Sequence, residues 1–196
     1  MPVNATRRFS QAISEGDGIS VIARIGVGAD AASLEEQGAE ALLVTPAERS
    51  VEQVRAATSL PIVVYWDGER SGPAAGADAC VIDAGSGGEL VDRLERAGSK
   101  TVELVFRVAD EDDFEPTLEE FDPEIFVLAA PGADYEEALE RVLDLLPEVP
   151  AGKLAIAELP QSTREDVGAL ERAGFDGVIV EAGRVAELVE GAPPEV

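Results

Sequence analysis

The sequence predicts an α/β protein, a compact (β/α)8 barrel of the TIM type, and three observations carry that expectation. Eight short apolar runs rich in Val, Ile or Leu recur along 196 residues, and segments with helical spacing separate them. A junction phrase also recurs, as "EEQGAEALLV", "AAGADACVI", "ERAGSKTVEL" and "ERAGFDGVIV". In each, a helix end is followed by Gly, a small or acidic residue and a strand, so one βα unit is used repeatedly. An open doubly wound sheet is the competing architecture, disfavoured because no Gly-rich dinucleotide turn follows any run.

Taken in order, residues 1–18 form a short lead-in to the first run, "ISVIARI" (19–25). The brief loop "GVGAD" opens a helix over 32–39, followed by "ALLVT" (41–45), a helix over 51–57 and "PIVVYWD" (61–67). The next connection, "GERSGPAAGA", has room for little more than a helical turn because Gly and Pro interrupt it. Then come "ACVIDAG" (79–85), a helix over 89–97, "TVELVFRV" (101–108), a helix over 114–121, "IFVLAAP" (125–131) and a helix over 135–146. The chain closes with "KLAIAEL" (153–159), a helix over 164–173, "GVIVEAG" (177–183) and a helix over 185–189. Ser162 or Thr163 is the expected N-cap of the helix over 164–173, and Gly38, Gly98 and Gly174 sit where left-handed stops are expected. No linker divides the chain, so residues 1–196 are expected to form one domain with a loose tail at 192–196.

Composition narrows the function. Forty acidic against fifteen basic residues give a net charge of −25, with Lys100 and Lys153 the only lysines. A field of that sign repels phosphate backbones and anionic membranes, so neither nucleic acid nor membrane is an expected partner. The acidity is dispersed, as in "SLEEQGAE" and "DEDDFEPTLEEFDPE". That pattern fits a salt-rich cytoplasm of the kind found in halophilic archaea, where a Debye length of about 3 Å at molar salt removes self-repulsion; a specific cationic partner is the alternative. The N-terminus lacks the apolar core of a signal peptide, and a cytoplasmic location is expected. The absence of His excludes a His-dependent triad and the usual His/Cys zinc sites, and no cofactor is expected. Cys80 lies within an apolar run and reads as a small buried hydrophobe.

Against this background the chain resembles indole-3-glycerol-phosphate synthases over almost its whole length. The resemblance rests on "RRFSQAISEGDGISVIARI", "LEEQGAEALLVT", "SLPIVVYWD", "AAGADACVI" and "ELPQSTREDVGALERAGFDGVIV", which follow that family's phrases in order. The family's ring closure needs a general-acid lysine, a carboxylate partner and a phosphate anchor. The resemblance implies that these positions have changed. The first-strand Glu and the Lys two residues on fall on Arg24 and Gly26; the third-strand Lys falls on Tyr65, the fifth-strand Glu on Phe106 and the sixth-strand Asn on Leu128. Glu158 keeps the seventh-strand Glu, but the following Ser-Gly becomes Leu159-Pro160, and the eighth-strand Gly that opens to phosphate becomes Glu181. A phosphate cradle needs N–H donors and positive charge, so Glu181 marks a lost or replaced phosphate site.

Strand parity places Arg24, Tyr65, Asp67, Asp83, Arg107, Glu158 and Glu181 at or near the barrel rim, although the family register, with Phe106 inward, turns Arg107 outward. One reading is structural, with Arg24 neutralising Glu158 and Glu181. Another is a small polar pocket in which Arg24 holds a carboxylate or similar anion, Glu158 acts as acid–base or acceptor, and Tyr65 and Trp66 flank the ligand. A third uses Asp67, Asp83, Glu158 and Glu181 as oxygen ligands for Mg²⁺ or Ca²⁺, although no ligand-spacing motif supports a metal. The working expectation is a pseudoenzyme, a barrel with the catalytic lysines and phosphate-binding Gly replaced that binds a small molecule or a protein partner. The alternatives are an enzyme acting on a different substrate through Glu158 and Arg24, residual synthase (carboxy-lyase, tryptophan-biosynthetic) activity, and a structural assembly subunit.

Overall fold

The eight apolar runs form eight parallel strands because each is buried on both faces, inward against its counterparts and outward against helices. The computed structural model describes residues 7–16, 18–45, 50–66, 76–86, 88–89, 91–92 and 102–189. Its strands are β1 (Ser20–Ile25), β2 (Ala41–Val44), β3 (Ile62–Tyr65), β4 (Ala79–Asp83), β5 (Glu103–Val108), β6 (Ile125–Ala129), β7 (Leu154–Glu158) and β8 (Gly177–Glu181). They pair in sequence order, and β1 pairs with β8 to close the barrel. The open doubly wound sheet is thereby excluded. Most of the expected helix at 89–97 and of the connection at 68–77, together with Gly98, Asp67 and the tail, lies outside the described residues.

Two concentric cores result. Ile22, Leu43, Val63, Val81, Val105, Val127, Ile156 and Ile179 fill the interior, one from each strand. Their sequence neighbours, such as Ala23, Leu42, Val64, Phe106, Val178 and Val180, face the outer helices. The helix Arg8–Ser14 plugs the base with Phe9 and Ile13, which join the interior core. Glu103 on β5 clasps that helix, accepting the Phe9 N–H at 2.8 Å and the Ser10 N–H at 3.1 Å, where a carboxylate also complements the helix start.

The recurring junction has a physical job at the same end. Asp78 accepts the Ile62 N–H at 2.8 Å, and Asp176 accepts the Ala155 N–H at 2.8 Å. Asp78 and Asp176 thus each satisfy a backbone donor on the preceding strand. Asp78 also binds Arg55 and Arg8. Elsewhere, Thr163 caps the helix Arg164–Ala173 through a capping box with Asp166. Gly174 ends that helix at φ +105°. Gly38 is at φ +95°, and a Cβ there would lie 2.5 Å from Val189 Cγ1, so the left-handed stop also lets the helix Val185–Val189 approach.

Two strand registers differ from the family-based expectation. Phe106 pairs in register with Ile82 and Phe126, is fully buried, and stacks on Phe121 at a 4.8 Å centroid distance. It therefore faces the helix Phe114–Phe121, and Arg107 points inward. Leu128 likewise belongs to the outer core. The reason is size: the space between sheet and helices accommodates a stacked phenyl pair, whereas the mouth is polar. Truncating Phe106→Ala should cost about 3–5 kcal/mol in denaturant unfolding; a loss below about 1 kcal/mol, the range of tolerated core swaps, would mean that the ring is not packed there.

Candidate functional site

The C-terminal ends of the strands form the mouth, where sites of this architecture are built. Inward parity brings Arg24 from β1, Tyr65 from β3, Asp83 from β4, Arg107 from β5, Glu158 from β7 and Glu181 from β8 to one end of the barrel. Register sets two adjacent pairs, Arg24 opposite Glu181 and Asp83 opposite Arg107. Glu158 joins them. One of its oxygens bonds Arg24 Nη2, and the other accepts Arg107 Nε at 2.5 Å.

The result is a chain of charges, Glu181–Arg24–Glu158–Arg107–Asp83. Arg107 Nη1 meets Asp83 Oδ1 at 3.1 Å. Arg24 Nε lies 3.5 Å from Glu181 Oε1, a distance for an ion pair, yet this buried nitrogen makes no hydrogen bond. Side-chain exposure grades the network: Glu158 is 11% exposed, Arg107 18% and Arg24 33%, whereas Asp83 and Glu181 are 56% and 63%. The Arg107 guanidinium also sits 5.8 Å above the Tyr65 ring.

These contacts act on protonation. Burial, followed by the Glu158 charge, raises the Tyr65 phenol well above its ordinary value. Burial of Arg107 disfavours its charge, but the charge and hydrogen bond of Glu158 outweigh that and raise its pKa. Cys80, buried against Trp66 and Ile82 on the outer face, is pushed up to about 12 by burial alone, as befits an inert packing thiol.

The sequence-derived candidates fare unequally. Arg24, Tyr65, Asp83, Glu158 and Glu181 converge, and Asp67 lies outside the described residues. Trp66 does not flank the mouth; it is buried on the outside of the sheet. Arg107, placed at the rim by parity but turned outward by the family register, points inward and belongs to the network. Of the carboxylates offered to a divalent ion, Asp83, Glu158 and Glu181 are instead engaged by guanidinium groups, and among the described residues no group of three or more His, Cys, Asp or Glu is placed to hold a metal.

A cavity of about 230 Å³ opens above the network, bounded by Arg24, Arg107, Glu158, Glu181 and the segment from Ala130 to Ala133. A neighbouring cavity of about 280 Å³ shares Leu159, Pro160 and Glu181 with it and adds Ser162, Val180 and Arg184. No helix among the described residues is long and apolar enough to cross a membrane.

Two measurements test this arrangement. Glu158→Gln should lower stability by about 1–3 kcal/mol, less than for a fully buried pair because the network is partly exposed. Raised pKa values at Tyr65 and at Tyr135, the latter mainly through its hydrogen bond to Asp166, cover both tyrosines of the chain. Their neutral forms are favoured in the fold, so the stability they confer is complete below the unfolded value of about 10 and is lost as pH rises past it. An alkaline absorbance titration should therefore show no phenolate step near pH 10 (about the free value) before unfolding; a normal step from either residue would contradict its placement.

Comparison with known proteins adds a distant kinship. The chain is 30% identical over 110 residues to the indole-3-glycerol phosphate synthase of Pelodictyon phaeoclathratiforme, covering 55% of this chain and 43% of that protein. It is 29% identical over 137 residues to the indole-3-glycerol phosphate synthase of Variovorax paradoxus, covering 66% and 52% respectively. No protein-family model matches the chain. It spans about half the length of the curated relatives it matches, and the similarity to these synthases coincides with a closed (β/α)8 barrel.

Proposed function

We propose that this chain is a non-catalytic relative of the indole-3-glycerol phosphate synthases, a barrel whose mouth binds a small carboxylate-bearing molecule without transforming it. The observation that carries this reading is the sharing of Glu158 between Arg24 and Arg107. Both oxygens of the acid retained from the family pattern are engaged, which makes it a fixed counter-charge holding two cations at the mouth. Ring closure of the family's kind asks for a lysine acid beside a carboxylate. Lys153 instead precedes β7, at the opposite end of the barrel, bonded to Asp122 at 2.6 Å; Lys100 lies outside the described residues.

Binding is favoured over a purely structural network because the network is not self-satisfied. Arg24 Nε is a buried donor without a hydrogen bond, and it borders the recessed cavity. An unmade bond of that kind costs about 1–3 kcal/mol, which a ligand carboxylate would recover. An enzyme using Arg24 and Glu158 on another substrate would be better served by an unpaired Arg24, whereas Arg24 is bound to Glu158.

The test is synthase turnover, followed by indole fluorescence, on purified protein in roughly molar KCl to screen the acidic surface. We expect no turnover from a chain shown to be folded by circular dichroism. Turnover that disappears in Glu158→Gln would overturn the non-catalytic assignment and return ring closure to this mouth.

A further inference from the structure

We propose that the ligand is a free amino acid with an apolar side chain, held as a zwitterion: its carboxylate on Arg24, its ammonium on Glu181 and its side chain in the adjoining cavity. This rests on the carboxylate-binding mouth inferred above and specifies what it recognises.

Charge arithmetic comes first. Three carboxylates, Asp83, Glu158 and Glu181, face two guanidinium groups, Arg24 and Arg107, leaving one negative charge in excess. That excess belongs to Glu181, the most exposed of the three, whose contact with Arg24 is the longest in the network at 3.5 Å. A simple anion would add to the imbalance. A zwitterion adds no net charge: its carboxylate takes the Arg24 Nε–H that lacks a hydrogen bond, and its ammonium meets the Glu181 carboxylate thereby released. Opposite charges a few Å apart in a recessed site are worth more than in bulk water.

The second cavity supplies the rest of the specificity. Glu181 and Pro160 form a wall common to both spaces, so a molecule with its charged centre at Glu181 has its substituent beside the second one. That space is bounded by Leu159, Pro160 and Val180, with Gln161, Ser162, Glu181 and Arg184 as its polar members, Arg184 being paired with Glu187 at 3.0 Å. Each cavity alone is below the roughly 300 Å³ of ordinary small-molecule sites, and joined they reach that range.

Calorimetric titration of the full chain in roughly molar KCl with L-phenylalanine, 3-phenylpropanoate, 2-phenylethylamine and glycine separates the contributions. We expect L-phenylalanine to bind, loss of its amine or carboxylate to weaken binding by about tenfold or more, the range for one charged hydrogen bond, and loss of its side chain to weaken it by about tenfold or more through lost apolar burial. Glu181→Gln should bring L-phenylalanine and 3-phenylpropanoate to similar affinity, and Val180→Trp, which fills the second cavity, should spare glycine while abolishing the advantage of the phenyl group. If 3-phenylpropanoate binds the unaltered protein as tightly as L-phenylalanine, the zwitterion assignment is overturned and the carboxylate-binding mouth stands. If no carboxylate binds to protein shown to be folded, both fall.

Discussion

The mouth depends on one carboxylate shared by two guanidinium groups. Glu158 on β7 reaches Arg24 on β1 and Arg107 on β5, and through them Glu181 on β8 and Asp83 on β4. Without Glu158, two partly buried cations would face one another with only exposed carboxylates to offset them, and an uncompensated charge in such a place is costly. The shared bond therefore sets the spacing of five strand ends, and the cavities described above are the space left between that brace and the surrounding loops. Rigid strands rather than loops carry all five of these side chains, which keeps the arrangement well determined.

The two ends of the barrel use acids differently. At the base, Asp78, Asp176 and Glu103 accept backbone N–H groups and lock strands or a helix in place. Their role is local and architectural. At the mouth the acids face arginines, and the pairs become looser toward solvent, from Glu158 out to Glu181. A rigid base with a graded, partly unsatisfied rim suits a scaffold on which binding can change while the fold is kept.

How far this was legible in the sequence depends on what each signal measures. Apolar runs identified all eight strands because parallel strands buried on both faces must be apolar throughout. On β5 two signals conflicted, since parity placed Arg107 at the rim whereas the family register put Phe106 inward; the structure follows parity, with Phe106 in the outer core and Arg107 on Glu158. Arg24, Glu158 and Glu181 stood out because charges at the ends of apolar runs need a reason, and parity within each run placed them at the mouth. The contributions of Ser162 and Arg184 were not legible: they come from the segment before the helix Arg164–Ala173 and from a single 3-10 turn, Ala182–Arg184, too short for periodicity to constrain the side chain. Nor could spacing show that Glu158 is shared, since that contact crosses the barrel between strands far apart in the chain.

The plugged base has a consequence of its own. With Phe9 and Ile13 packed beneath the interior side chains and Glu103 clasping their helix, the barrel is a cup rather than a tube. Whatever occupies the rim must arrive and depart by the same doorway, so a resident molecule is also a stopper.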